Sequence, residues 1–333
     1  MSLIESALEG KRLALARLLT QVENDTPEGR LALAELFPHT GNAHLIGITG
    51  APGTGKSSLV NQLALHYRKT TGKRVAIVAV DPSSPFTGGA VLGDRVRMRD
   101  LSGDDGIFIR SMASRGSLGG IAQKTAALVQ VFDAAGYEIV IIETVGAGQS
   151  EVDVARLAHT TVVVEAPGLG DEIQAIKAGI LEIADVLVVN KADRPGVENT
   201  ERALRSTLEL AHPAAKRVFR HHGQTMSIST STADATLWIP PIHKTVATEG
   251  RGIAEVIESI TKHAAHLRQT GDWAARDRAR LGSEMEALLQ EALMDRFLEN
   301  VQQGNYEEMI EKVVNRTISP YEAVKFLLDG KQV

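Results

Sequence analysis

Gly50-Ala51-Pro52-Gly53-Thr54-Gly55-Lys56-Ser57 decides the fold. It satisfies GxxxxGK[ST], follows the apolar stretch 44–49 and precedes residues 57–65, which carry apolar side chains at helical spacing. Strand, glycine loop and helix in that order form a phosphate cradle. The glycines let successive backbone N–H groups turn toward an anion, and the start of the helix adds its partial positive charge. Lys56 then reaches the terminal phosphates, the Ser57 hydroxyl is a magnesium ligand, and Ser58 continues the loop into the helix.

A second motif, Asn190-Lys191-Ala192-Asp193, follows the apolar run 185–189. As a buried parallel strand, that run delivers Asn190, Lys191 and Asp193 to its carboxyl end, where open α/β sheets hold ligands. An ionised Asp193 can accept from both N1–H and the exocyclic amine of guanine, a donor pair that adenine lacks. Each such charge-assisted bond contributes about 1.5–3 kcal/mol. Lys191 is expected along the base plane, and Asn190 as a tie to the phosphate loop. The two motifs in this order imply a guanine-nucleotide switch that uses GTP and GDP.

Strand-like runs at 44–49, 74–80, 107–110, 138–143, 160–165 and 185–190 alternate with helical or loop-rich segments. The pattern predicts an α/β fold in which a mostly parallel sheet is covered on both faces. A last strand is expected over 242–247, then a helix on Ile253, Val256, Ile257 and Ile260. The expected organisation is an N-terminal helical segment at 1–42, a P-loop GTPase domain at 43–268 and a C-terminal helical extension at 269–333. In the first segment Leu15, Leu18, Leu19 and Val22 share a helical face, and Thr26-Pro27-Glu28 reads as a cap with proline opening the next helix. In the last, Met285, Leu288, Leu289, Ala292, Leu293 and Phe297 recur at helical spacing, and Ser319-Pro320-Tyr321-Glu322 is a capping box. Helices this short bury little alone, so packing on the nucleotide domain or on a second copy of the chain is expected, with a homodimer favoured.

The 333 residues are 43% hydrophobic and 23% charged, a globular composition, and the formal net charge of -5 argues against a general nucleic-acid binder. Arginines cluster at 95–99 and 276–280, the second cluster reading as solvated surface. Cysteine is absent, which excludes disulfides and thiolate chemistry and suits a reducing cytoplasm. The opening residues have no basic segment followed by an apolar core, and no apolar run approaches the ~20 residues a bilayer needs, so a cytoplasmic, unanchored protein is expected.

Residues 138–143 end in Glu143, and Glu143-Thr144-Val145-Gly146 has ExxG spacing. Glu143 can hold magnesium or orient water, and the Gly146 N–H can sense a γ-phosphate. Asp81, closing the strand before Pro82, and Asp94, between Gly93 and Arg95, are further oxygen donors for the Mg2+ shell. Lys56, Asp81, Asp94 and Glu143 are therefore the candidate catalytic set. Gln149 is a candidate for orienting water, and Arg95, Arg97 and Arg115 are candidates for an internal arginine finger.

These motifs, with Val80-Asp81-Pro82-Ser83-Ser84, Leu92-Gly93-Asp94-Arg95-Val96-Arg97-Met98, the string from Ile142 to Glu151 and Pro167-Gly168-Leu169-Gly170-Asp171-Glu172-Ile173-Gln174-Ala175-Ile176-Lys177, resemble the MeaB/ArgK family. The resemblance covers nearly the whole chain. It implies a homodimeric GTPase chaperone that gates adenosylcobalamin loading into a cobalamin-dependent acyl-CoA mutase and protects or reactivates that partner. It also implies that Asp171, Glu172, Gln174 and Lys177 belong to an extra switch. The sequence departs from the family where Ser-Ala is common in the last guanine loop: Thr245-Val246-Ala247 stands there, leaving a backbone contact near Ala247. Glu165 also stands where apolar residues are usual. The alternatives are a P-loop kinase, or a metal-delivery GTPase for which His221 and His222 would recruit the ion.

Overall fold

The computed structural model describes residues 2–82, 101, 103–114, 120–144, 150–168, 181–211, 237–300 and 303–329. Among these residues seven strands form one sheet, all paired in parallel: β1 (His44–Thr49), β2 (Val75–Pro82), β3 (Ile107–Ser114), β4 (Ile139–Thr144), β5 (Thr160–Glu165), β6 (Val186–Val189) and β7 (Ile242–Lys244). Their order is β3-β2-β4-β1-β5-β6-β7. The strand carrying the phosphate loop is thus flanked by β4 and β5, and the order reverses around it, which is where such sheets open a crevice. The last strand is shorter than the expected 242–247. Val246 bridges back to Arg251, and Ala247–Glu249 turns into a 3-10 helix before Gly250 and Gly252, both at positive φ.

The helices in unit order are α1 (Leu3–Leu8), α2 (Arg12–Glu23), α3 (Pro27–Leu36), α4 (Lys56–Thr71), α5 (Gly120–Ala134), α6 (Ser150–Leu157), α7 (Val197–Ala211), α8 (Ile253–Thr270), α9 (Asp272–Asn300), α10 (Gln303–Val314) and α11 (Pro320–Asp329). Alternation along the strands sends Ile46, Ile48, Ile77, Ile139 and Ile141 to one face, against Leu59 and Leu63 of α4 and Val256 and Ile260 of α8. Leu45, Ala76, Val78, Val140 and Ile142 go to the other, against Phe132 of α5 and Val154 of α6. Gly47 permits that second packing, because a Cβ there would stand 2.9 Å from Val154 Cγ1.

The N-terminal helices are part of this second layer. Leu15, Leu18, Leu19 and Val22 of α2 are buried in the same cluster as the strands. Each such side chain contributes about 1.5–3 kcal/mol by leaving water. Arg12 donates to the Ile107 carbonyl at 2.8 Å, and Arg110 of β3 bonds Glu23, so polar contacts also join these helices to the edge of the sheet. Thr26 caps α3 by accepting from the Gly29 N–H, with Pro27 at the first helical position.

The chain divides into two compact units, Met1–Arg280 and Leu281–Val333. The second holds the rest of α9, α10 and α11, with the Ser319–Glu322 capping box formed in both directions. Met309 and Ala323 are buried there, whereas Met285, Leu289, Leu293, Val314, Tyr321 and Leu328 are more than half exposed. One expectation is corrected in the first unit. Arg276 and Arg280 are not simply solvated surface: Arg276 bonds Asp185 twice and Arg280 bonds Asp277, because the root of α9 crosses the amino end of the sheet where Asp185 is buried.

Candidate functional site

The phosphate loop joins the carboxyl end of β1 to the first turn of α4. Its backbone is possible only with glycine at two crowded points. Gly50 has φ +134° and a Cβ there would fall 2.1 Å from the Val164 carbonyl oxygen; Gly55 has φ +93° and a Cβ would fall 2.4 Å from Asn190 Nδ2. The loop therefore presses against β5 on one side and against the second motif on the other. Its polar groups are held by its own carbonyls: Lys56 Nζ donates to Gly50 O at 2.6 Å and Ala51 O at 3.0 Å, and the Thr54 hydroxyl donates to Ala51 O at 2.9 Å. Lys56 is only 6% exposed, so its ammonium is kept at the inner wall of the loop.

Glu143, at the end of β4 and 1% exposed, accepts from the Ser57 hydroxyl at 2.6 Å. Parallel pairing of Ile48 with Glu143 puts this carboxylate beside the phosphate-loop strand. Asp81 is the last residue but one of β2, opposite Ala113 and on the strand next to β4. Asp94, Gly146, Asp171, Glu172, Gln174 and Lys177 lie outside the described residues, as do Gln149, Arg95, Arg97, Arg115, His221 and His222.

Asn190 is the knot between the two motifs. Its Nδ2 donates to Thr54 O at 2.8 Å, while its Oδ1 accepts from the Thr245 hydroxyl at 3.0 Å and the Ala247 N–H at 3.1 Å. One buried amide thus fixes the phosphate loop, the end of β6 and the loop after β7. Lys191, at φ +57°, sends Nζ to Gly53 O at 2.6 Å. A pocket opens between them, lined by Gly55, Ser58, Asn190, Lys191, Asp193, Arg194, Val246, Ala247 and Thr248. The sequence motifs named five of its groups on the loops and Ala247 on the return. Arg194, Val246 and Thr248 carry no spacing signal, since the approach of the last loop is set by the turn at Gly250 and Gly252. Gly252 touches Lys244 so closely that a Cβ would meet its carbonyl oxygen at 2.2 Å.

The chain that carries this pocket has known relatives. The model of the methylmalonyl-CoA mutase-associated GTPase MeaB matches residues 15–302. The chain belongs to the MeaB family. A putative GTPase of Pyrococcus abyssi is 42% identical over 98% of this chain and 95% of its own length. The mitochondrial methylmalonic aciduria type A homolog of Caenorhabditis elegans is 31% identical over 89% of this chain and 73% of its own. A crystal structure of an LAO/AO transport system kinase superposes with a TM-score of 0.65 at 27% identity, covering 98% of this chain and 95% of that one. This MeaB-family chain is a GTPase with a P-loop fold: it binds guanine nucleotide and hydrolyses GTP to GDP and phosphate. No helix among its described residues is long and apolar enough to cross a membrane.

Proposed function

We propose that this GTPase is a chaperone of a cobalamin-dependent acyl-CoA mutase, gating the loading of adenosylcobalamin and protecting or reactivating the partner. The observation that carries the reading is the Asn190 knot, which makes base recognition and phosphate recognition one mechanical unit inside a chain of the MeaB family. Asp193 selects guanine, Lys191 and Ala247 flank the base, and residues 50–58 hold the phosphates. Asp171, Glu172, Gln174 and Lys177 couple the nucleotide to the partner.

The residues present fit a magnesium ion. The Ser57 hydroxyl and the Glu143 carboxylate meet at 2.6 Å and are hard oxygen donors. Magnesium is commonly bound through one or two carboxylates, phosphate oxygens and water. Ser57, Glu143, Asp81 and Asp94 would hold it, and bound Mg2+ supplies charge neutralisation at the phosphates. Lys56 adds a second positive charge, Glu143 orients water, and the burial of both excludes bulk solvent. Water oxygen bonds to the γ-phosphorus as the bond to the β,γ-bridging oxygen breaks. The exposed apolar side chains of α9, α10 and α11 support a homodimer built on the second unit. The same reading takes the protein as cytoplasmic.

The test is mutase inactivation followed with purified partner and adenosylcobalamin. GTP should slow inactivation with the unaltered protein and have no effect with Lys56→Ala. Equal protection by both proteins would sink the proposal.

A further inference from the structure

Opposite the nucleotide pocket, the amino ends of β1, β5 and β6 hold a second polar cluster, buried and closed by the root of α9. His159, 4% exposed, is committed at both ring nitrogens: Nδ1 accepts from the Leu45 N–H at 3.1 Å, and Nε2 meets Asp277 Oδ1 at 2.9 Å. Only the neutral ring with its proton on Nε2 satisfies both. The imidazole stacks on Trp273, centroids 3.9 Å apart and planes 23° apart, and the Arg268 guanidinium of α8 lies over the same indole at 4.0 Å. Arg276 donates to the His159 carbonyl at 2.7 Å and to both carboxylate oxygens of Asp185, and Arg280 shares Asp277. His44 adds its ring 5.4 Å from Trp273 and bonds Thr160, which in turn meets His263. The root of α9 is therefore fastened to the sheet through one imidazole seat.

We propose that His159 is the pin of a proton-released latch: a second ring proton at Nδ1 points at the Leu45 N–H, so acidification unseats the imidazole and frees Asp272–Arg280 from the foot of the sheet.

The surrounding charges favour the neutral pin. Burial pushes His159 below its ordinary value of 6.5, and Arg280 and Arg276 add to that, while the bond and charge of Asp277 pull the other way without overcoming it. His44 is pushed well below 6.5 by burial and then by His159, Arg268, His263 and Lys73. Both carboxylates stay ionised through this range: Asp277 is held at about 2 by His159 and Arg280 against its burial, and Asp185 is lowered by His263 and Arg276. For a histidine with a depressed folded-state pKa, the released chain binds the proton first. The latch is then at full strength above about pH 6.5 and weakens as pH falls below it.

The experiment uses the full chain without nucleotide. Hydrogen exchange, corrected for the intrinsic pH dependence, is followed between pH 7.5 and 5.0 in peptides covering 272–280 and 139–144, with Trp273 emission recorded in a Trp238→Phe background. Protection of 272–280 should fall at least tenfold while that of β4 holds, and the emission change should share its midpoint. His159→Gln, which keeps a donor for Asp277 but gains no proton in this range, should abolish the transition. Asp277→Asn removes the charge that favours the protonated ring in its seat, so protection of 272–280 should fall further between pH 7.5 and 5.0 than in the unaltered protein; a merely structural contact would lose the same factor at both pH values and leave that fall unchanged. The latch is overturned by an unchanged transition in His159→Gln, by a fall in Asp277→Asn no larger than in the unaltered protein, or by loss of β4 protection in step with 272–280. If His159→Gln gives no cooperative melt at neutral pH, the size of the fall in Asp277→Asn decides.

Discussion

The two ends of the sheet differ in how most of their polar side chains are held. At the carboxyl rim, side chains rest on backbone carbonyls of a glycine loop: Lys56 on Gly50 and Ala51, Lys191 on Gly53, Asn190 on Thr54. At the amino foot, side chains bond other side chains, from His44 through Thr160 and His263 to Asp185 and Arg276. A carbonyl that loses an ammonium to an incoming phosphate keeps its second lone pair for water, so the rim exchanges partners at small cost. A foot residue that loses its partner leaves another buried polar group unsatisfied, which costs about 1–3 kcal/mol. The rim is arranged to receive a ligand and the foot to hold a fold.

Removing a rim cation should therefore damage binding and spare the fold. Lys56→Ala is expected to weaken guanine-nucleotide affinity by about 3–5 kcal/mol, the worth of roughly two charge-assisted phosphate contacts, or at least 100-fold. Titration with a fluorescent GDP measures that loss, and urea unfolding of the same protein should change by less than about 1 kcal/mol. A large stability loss would mean that Lys56 belongs with the foot in kind. Asp193→Asn comes next, at about 1.5–3 kcal/mol against GTP, because an amide cannot accept from both guanine donors. Xanthine nucleotide, which presents an acceptor where guanine has its amine, should regain affinity for the variant in competition titrations. Equal weakening toward both would remove Asp193 from base selection.

The same contrast explains what the sequence made legible. The strands, the phosphate loop and the Asn190 motif are local patterns, because glycine spacing and apolar runs encode backbone geometry over a few residues. The expectation of a parallel sheet, with Leu15, Leu18, Leu19 and Val22 on one buried helical face, rests on the same periodicity. The foot left no such trace. His44, His159, Asp185, His263 and Asp277 are scattered over more than two hundred positions and meet only because three strands begin together and α9 folds back across them. Arg276 read as surface for that reason: its spacing with Arg278 and Arg280 is that of a solvated helix, and only its contact with Asp185 says otherwise. Thr245 fell between the two cases. Its departure from the family pattern was visible in the sequence, but its bond to Asn190 depends on β7 pairing beside β6, which joins residues 55 positions apart.

The smallest expected effect separates the two ends most cleanly. With neutral rings, hydrogen bonding through Thr160 runs in one direction: His263 Nε2 donates to Asp185, so its Nδ1 accepts from the Thr160 hydroxyl, whose oxygen accepts from His44 Nε2–H. Thr160→Val keeps the shape and removes both bonds, leaving one buried donor and one buried acceptor without partners. The expected loss is about 1–2 kcal/mol in urea unfolding, with GDP affinity changed less than about twofold. Thr160 opens β5, and the other end of that strand supports Gly50 through Val164. A fall in nucleotide affinity matching the fall in stability would show that the strand transmits strain from foot to rim, and the division of labour between the ends would fail.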